Sequence, residues 1–415
     1  MSATPSASNS AEIRSAVTQS VSTFYNTYPF PPDPIIDEAP PGYNWRWNWA
    51  AVHAFCTGQA ADPDQSVRIL DAGCGTGVST EYLAHLNPKA EIVALDISPG
   101  ALNVAQERCR RSLPSQWGTD ALQFHHLSLY DVEQLPGTFQ LINSVGVLHH
   151  LADPQRGLRA LSQKLAPGGF FHIFVYSELG RREIQLMQEA IRLLQPDRSD
   201  YKKSVQVGRE LFATLPPQNR LVQRETRWAL ENHRDECFAD MYVHPQEIDY
   251  SISSLRSLLD SIDNLTFLGF SNPEHWDLAP LLEKSPELSD RASHLTPWER
   301  YRLREILDPD SITHYEFFLG KPPLHFETWA EDDRLAQAIA YLNPCLHGWP
   351  SPTLLNQDYQ PITLSASEFQ FLQACEGQEP KTIAALNELT GLTLAEVRQL
   401  IQKRLLFLQH DRILM

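Results

Sequence analysis

The stretch VRILDAGCGTGVST, residues 67–80, decides the fold. Residues 67–70, which are apolar except for Arg68, predict a buried strand, and residues 71–77 form a glycine-rich turn before a helix that begins near Val78. Glycine permits positive φ angles and lets a ligand approach the backbone more closely than a Cβ atom would allow. The turn is therefore predicted to hold a ligand flat against the main chain, above the N-terminus of a helix.

The glycine spacing limits what this ligand can be. Gly73, Gly75 and Gly77 give G-x-G-x-G, and Val78 stands where a dinucleotide fingerprint needs its third glycine. The Gly-Lys-Ser/Thr of a P-loop is absent from the turn. The acidic Asp71 suits a ligand that carries positive charge and disfavours a pyrophosphate.

The turn resembles motif I of the class I S-adenosylmethionine-dependent methyltransferases, D/E-x-G-x-G-x-G. The resemblance implies that S-adenosylmethionine is the cofactor, that Asp71 is one of its binding residues, and that the main chain from Gly73 through Gly75 to Gly77 holds its methionine end. The acid Asp96 ends the next apolar run, EIVALD. A carboxylate at the C-terminal end of the second strand can accept both hydroxyls of a ribose, because ligands bind at that edge of an open α/β sheet.

Further cofactor contacts follow from the same resemblance. Asp131 stands just beyond a third apolar run and corresponds to an acid near the adenine amino group, although it could instead cap a turn. Neighbouring apolar positions are expected to contact the cofactor as well: Ile97, Val132 and Val145.

The rest of the chain predicts a doubly wound α/β fold with a seven-stranded sheet whose last strand is antiparallel. FQLINSVG, FFHIFVY, LTFLGF and HYEFFLG are expected to be strands four to seven. The methyltransferase domain then covers residues 66–323, with a helical insertion at 181–263 after strand five. The N/D-P-P-Y tetrad that holds planar amides or base amino groups is absent after strand four, where NSVG and then VLHHLADP occur.

A sulfonium already activates its methyl group, so the protein mainly has to align the acceptor and exclude water. Tyr176, His149 and His244 are candidates to orient or deprotonate the acceptor, although a histidine pair at 149–150 fits a structural role equally well. FADMYVHPQEIDYS, residues 238–251, is the stretch where we expect acceptor contacts; the alternative is a loop whose polar residues only cap helices.

The two ends of the chain carry separate features. We expect a disordered tail at residues 1–11, then a helix and an aromatic, proline-rich segment at 12–65 that either packs outside the domain or caps the cofactor or acceptor pocket. Residues 324–415 predict a small, mainly helical domain that resembles a winged helix. Its helices lack a dense basic recognition surface, which favours a packing or protein-binding role. The aromatic segment and this tail resemble, more weakly, bacterial protein methyltransferases with appended domains.

Composition narrows the function further. The chain has 415 residues and a net charge of −17, which argues against a broad surface for nucleic acid or an anionic membrane. Six scattered cysteines without a C-x-x-C pair fit a reduced, cytoplasmic protein without a metal site. We therefore expect a methyltransferase acting on a protein side chain or, alternatively, on a small metabolite. The competing hypothesis is a non-catalytic cofactor-binding scaffold.

Overall fold

The fold is taken from a computed structural model that describes residues 7–62, 64–114, 121–376 and 381–410. Its central sheet has the strand order β3-β2-β1-β4-β5-β7-β6. Strand β7 runs antiparallel to both of its neighbours, and the other pairings are parallel. This confirms the predicted sheet, whose strands are β1 (Arg68–Ala72), β2 (Glu91–Asp96), β3 (Leu122–His126), β4 (Phe139–Val145), β5 (Leu165–Tyr176), β6 (Thr266–Phe270) and β7 (His314–Gly320).

Helices cover both faces of the sheet. The insertion predicted after β5 is helical, since α6 to α11 all lie between β5 and β6. The helices up to β7 are α1 (Ala7–Thr27), α2 (Trp49–Thr57), α3 (Val78–Leu86), α4 (Pro99–Ser112), α5 (Pro154–Lys164), α6 (Arg182–Leu194), α7 (Tyr201–Thr214), α8 (Arg220–Glu225), α9 (Ala229–Asn232), α10 (Asp235–Tyr242), α11 (Ile252–Leu259), α12 (Ala279–Leu282), α13 (Pro286–Ser293) and α14 (Pro297–Leu307).

Helix α1 differs from the expectation of a disordered tail up to residue 11. The helix already begins at Ala7, whereas residues 1–6 lie outside the described part of the chain. The buried rings of Phe24 and Tyr28 pack against the insertion, including Met187 and Phe238. Because this packing buries apolar surface that neither segment could bury alone, α1 and the insertion form one layer over the C-terminal edge of the sheet.

The C-terminal region is a small, mainly helical domain, as predicted. It has its own core, which includes Phe371, Leu386 and Leu400, and β8 pairs antiparallel with β11. The amide of Ala60 donates to the carbonyl of Leu408 and joins this domain to the methyltransferase domain. The winged-helix resemblance stays a prediction. The elements are α15 (Asp332–Gln337), β8 (Ile339–Leu342), β9 (Thr353–Leu355), β10 (Pro361–Thr363), α16 (Ala366–Cys375), α17 (Ile383–Thr390), α18 (Leu394–Gln402) and β11 (Leu406–Gln409).

A search of the described helices finds none that is long and apolar enough to cross a lipid bilayer.

A chain of buried polar side chains crosses the centre of the sheet, and we call it the polar ladder. Its members are Asp71 on β1, Asn143 on β4, His172 on β5 and Glu316 on β7. Asn143 Nδ2 donates to Asp71 Oδ1 over 2.8 Å, and Asn143 Oδ1 lies 2.8 Å from His172 Nδ1. His172 Nε2 lies 3.1 Å from Glu316 Oε1, so each member of the ladder touches the next.

The ends of the polar ladder are also occupied. Asp71 Oδ2 accepts hydrogen bonds from the hydroxyls of Ser79 and Thr80 in the first turns of α3. At the other end, Glu316 Oε2 forms an ion pair with Arg46 over 2.6 Å. Burial opposes ionisation of Glu316, but the His172 hydrogen bond and the Arg46 charge hold its pKa at about 2. The ladder therefore ties the glycine turn to the N-terminal segment through the interior of the sheet.

We predict that Asn143→Ala lowers the free energy of unfolding by about 3 kcal/mol, because it leaves Asp71 and His172 buried without the amide between them. Chemical denaturation of both proteins, followed by circular dichroism, measures the difference.

Asn264→Ala, at an exposed turn position, serves as the control and should change the free energy by no more than about 0.5 kcal/mol. Equal stability of the Asn143 and Asn264 variants would contradict a structural role for the ladder.

Candidate functional site

A cavity of about 320 Å³ lies above the glycine turn at the carboxyl ends of the strands. This is the edge at which open α/β sheets bind ligands. The position of the polar ladder also determines which residues form the floor of this cavity, because side chains two positions apart on a strand share a face of the sheet. Gly73, Val145 and Phe174 each stand two residues beyond a ladder member and line the cavity.

The glycine turn is held between two other parts of the chain. Gly73 has φ +88°, and a Cβ atom there would lie 2.4 Å from a methyl carbon of Val147. A Cβ atom on Gly75 would lie 2.4 Å from the carbonyl oxygen of Phe30. Both glycines line the cavity, so the main chain itself forms this part of its surface. Gly77 does not line it; a Cβ atom there would lie 2.7 Å from Ala105 on α4, so this glycine permits close helix packing instead.

Asp96 lies in the cavity wall with its side chain nearly buried. The amide of Gly75 donates to its Oδ2 over 2.9 Å, and the amide of Ser98 donates to its Oδ1 over 2.8 Å. Burial raises the pKa of Asp96, against the effect of these two hydrogen bonds. Each carboxylate oxygen has a further lone pair, so the group can still accept two hydroxyl donors. Ile97 and Val145, also predicted to contact the cofactor, lie in the same wall.

Besides Gly77, three predicted cofactor residues lie outside the cavity lining. Asp71 belongs to the polar ladder, and its side chain is not part of the cavity surface. Val132 is fully buried in the core, and Asp131 beside it is also absent from the cavity lining. The reason is local: β3 ends at His126, and the chain turns into a 3-10 helix that presents Ser128 and Leu129 to the cavity.

Part of the N-terminal segment contributes to the lining of the cavity. Val17, Val21 and Tyr25 of α1 line it, together with Phe30 and Pro31. The Thr76 amide and hydroxyl donate to the carbonyls of Phe30 and Pro31, which fixes this segment to the glycine turn.

A second cavity of about 180 Å³ adjoins the first. The two share four lining residues, so they meet at a common wall: Phe30, Phe174, Tyr176 and Asp240. The remaining lining comes from the insertion and from the start of β7: Arg181, Ile184, Arg224, Trp228, Glu231, Asn232, Cys237, Met241, Thr313 and His314.

The candidates for acid–base chemistry divide between the cavities and the core. Tyr176 lines both cavities, whereas His149 and His244 are buried and line neither. His150 does reach the first cavity, and its ring stacks on that of His244 at 3.7 Å. Burial lowers the pKa of His150 to about 4 and holds those of His149 and His244 well below the usual value. These histidines are therefore neutral at pH 7 and are weak bases.

Asp240 is the titratable group that the sequence analysis did not single out. It lies on α10, within the stretch 238–251 where acceptor contacts were expected. The Tyr25 hydroxyl donates to its Oδ1 over 2.9 Å. Burial raises the pKa of Asp240 to about 7, although this hydrogen bond acts in the opposite direction. The signal that could have identified Asp240 is its position between apolar residues of α10, since its buried neighbours include Ala239 and Tyr242.

No group of three or more potential metal ligands is found within the described ranges.

Comparison with known proteins identifies the fold and the family. Residues 70–171 match a family model described as a methyltransferase domain. An uncharacterized protein from Synechococcus sp. is 56% identical over 402 residues, which cover 96% of this chain and 95% of that protein. A malonyl-[acyl-carrier protein] O-methyltransferase from Bacillus cytotoxicus is 28% identical over 45% of this chain and 60% of its own length.

The solved structure of PKMT2 from Rickettsia typhi superposes with a TM-score of 0.56 at 14% identity, covering 89% of this chain and 76% of that one. The same protein is also known in complex with AdoHcy, the demethylated form of S-adenosylmethionine. At this identity the likeness shows the fold alone. The chain belongs to one family with the Synechococcus protein, and it is a class I S-adenosylmethionine-dependent methyltransferase.

Proposed function

We propose that this enzyme transfers the methyl group of S-adenosylmethionine to an oxygen atom of a small acceptor in the second cavity. The observation that carries the proposal is the common wall of the two cavities, where Asp240 stands. With the cofactor in the first cavity, an acceptor in the second meets the sulfonium methyl at the junction that the four shared residues line. Holding both reactants in line is the main source of acceleration for an already activated methyl group.

The cofactor contacts form the first part of the proposal. Asp96 accepts the ribose hydroxyls, and the main chain at Gly73 and Gly75 holds the methionine end. Ser128 and Leu129, which line the cavity, take the adenine-side position that the sequence analysis assigned to Asp131. Asp71 acts indirectly, because its bonds to Ser79 and Thr80 hold the start of α3 beneath the turn.

Asp240 is proposed as the general base. A base with a pKa near the working pH combines a useful ionised fraction with a useful affinity for the proton. Asp240 meets this condition, whereas the buried histidines do not. Tyr25 positions the carboxylate, and Tyr176 contributes the adjoining wall with a phenol whose pKa burial raises, so that it stays protonated and can donate.

Two acceptor classes were expected from the sequence, a protein side chain and a small metabolite. A small acceptor is favoured because α1, residues 30–31 and the insertion all contribute to the walls around the shared junction. An oxygen nucleophile is favoured because the Bacillus relative, similar over the methyltransferase segment, is named an O-methyltransferase. Transfer to a protein side chain is the second candidate, since a cavity of about 180 Å³ also admits one slender side chain.

We predict that Asp240→Asn slows methyl transfer by about 10²–10⁴-fold, the usual contribution of a general base. The measurement uses radiolabelled S-adenosylmethionine and an extract of Synechococcus, the source of the 56% identical relative, separated into small-molecule, protein and RNA fractions. Label should enter the small-molecule fraction. The wild-type rate should rise with pH through about 7, as the Asp240 carboxylate ionises, and the variant should lack this rise.

Asp235→Asn is the matched control, because Asp235 begins the same helix but is exposed and paired with Arg209. Its rate and pH profile should equal those of the wild type. A normal rate in Asp240→Asn would refute the base, and label confined to protein would replace the small acceptor with a side chain.

We also predict that Asp96→Asn weakens AdoHcy binding by about tenfold or more, since hydrogen bonds to a charged acceptor are among the strong ones. Isothermal titration calorimetry measures the affinity. Asp131→Asn, which lies outside the cavity lining, should bind within about twofold of the wild type. The reverse pattern would show that Asp131, and not Asp96, holds the nucleoside.

A further inference from the structure

Arg224 stands in the wall of the second cavity with only 5% of its surface exposed. Its Nη2 donates to the carbonyl of Gly180 over 2.9 Å, which fixes the guanidinium at the start of the insertion. Its Nε and Nη1 atoms are buried and have no hydrogen-bond partner among the residues that the structure describes. A buried guanidinium with two unused donors lowers the stability of the fold unless an anion accepts hydrogen bonds from them.

The acids near Arg224 are already engaged. Glu225 accepts the hydroxyl proton of Tyr242 and the amide protons of Asn232. Glu183 forms an ion pair with Arg220. Neither carboxylate is within ion-pair distance of Arg224, and no ion pair to it is found in the described part of the chain. Arg224 therefore has no carboxylate at ion-pair distance in the described ranges, and the charges of Glu183 and Asp310 act on it only from further away.

Arg181, the other arginine that lines this cavity, does have carboxylate partners. Its Nη2 lies 3.1 Å from both carboxylate oxygens of Glu247, and its Nε lies 3.9 Å from Asp249. Its guanidinium also stacks over the ring of Tyr176 at 3.5 Å. The charge of Arg181 is thus balanced within the protein, which leaves Arg224 as the cation available to a ligand.

A third unused donor accompanies the two on Arg224. Trp228 lies four residues further along and lines the same cavity, and its buried Nε1 also has no partner among the described residues. Its ring centroid is 5.9 Å from the guanidinium carbon of Arg224. Phe30 and Phe174 supply aromatic surface at the junction with the first cavity. The cavity therefore offers aromatic walls at the junction and unused N–H donors on Arg224 and Trp228.

We infer that the methyl acceptor is a monoanionic carboxylate with a flat, apolar body, whose carboxylate binds Arg224 and Trp228 while its hydroxyl faces Asp240. A single charge fits better than a phosphate dianion, because Asp240 and Glu231 line the same cavity. Arg224 is then a specificity-determining residue, and this inference rests on the proposed function for the placement of the acceptor.

The test is calorimetric titration of the AdoHcy-saturated protein with ortho, meta and para hydroxybenzoate, each paired with its neutral hydroxybenzamide. We expect at least one acid to bind about tenfold or more tightly than its amide, as a charge-assisted contact should. Arg224→Gln should abolish that preference, and Arg224→Lys should retain part of it. Arg227→Gln, at a half-exposed residue paired with Asp310, should leave it unchanged.

AdoHcy affinity and the thermal unfolding curve identify a variant that has lost its fold. The inference is overturned if no acid binds better than its amide, if the preference survives in Arg224→Gln, or if hydroxyphenyl phosphate binds more tightly than every carboxylate. No methyl transfer occurs in this experiment, so it can fail while the Asp240 result still supports the proposed function.

Discussion

The polar ladder of Asp71, Asn143, His172 and Glu316 is the constraint on which the site depends. Hydrogen bonds are directional, so a ladder that crosses β1, β4, β5 and β7 fixes the register of these strands more strictly than apolar packing does. The cavity floor stands two residues further along three of the same strands. A shift of one strand along its axis would therefore break a buried hydrogen bond of the ladder. The same shift would also displace the cavity floor.

The ladder also explains the role of the N-terminal segment. Arg46 pairs with Glu316, and the indole Nε1 of Trp47 donates to Asn143 Oδ1 over 3.0 Å, so this segment completes the ladder from outside the sheet. Trp47 also lines the first cavity, and Phe30 reaches both cavities. The same segment thus stabilises the sheet and covers the site. Methyl transfer from a sulfonium benefits from such a cover because water would compete with the acceptor.

The sequence predicts the sheet and part of the site well, for physical reasons. Strands buried on both faces are continuous apolar runs, and the glycine turn and Asp96 follow such runs directly, so their positions at the sheet edge depend on local structure alone. Asp131 lies outside the cavity lining because the exit from β3 is a 3-10 helix, whose rotation decides which residue faces the cavity. Asp240 and Arg224 reach the site only through the folding of the insertion over the sheet. No local pattern encodes that contact, although acidic and basic residues among buried neighbours were a usable signal.

The central claim is that the two cavities receive cofactor and acceptor on either side of a junction lined by Asp240. A crystal structure with AdoHcy tests it most directly. The account predicts the ribose hydroxyls on Asp96 and the sulfur at the junction formed by Phe174, Tyr176 and Asp240, facing the second cavity. AdoHcy whose sulfur points away from that junction, or that binds outside the first cavity, would contradict the account.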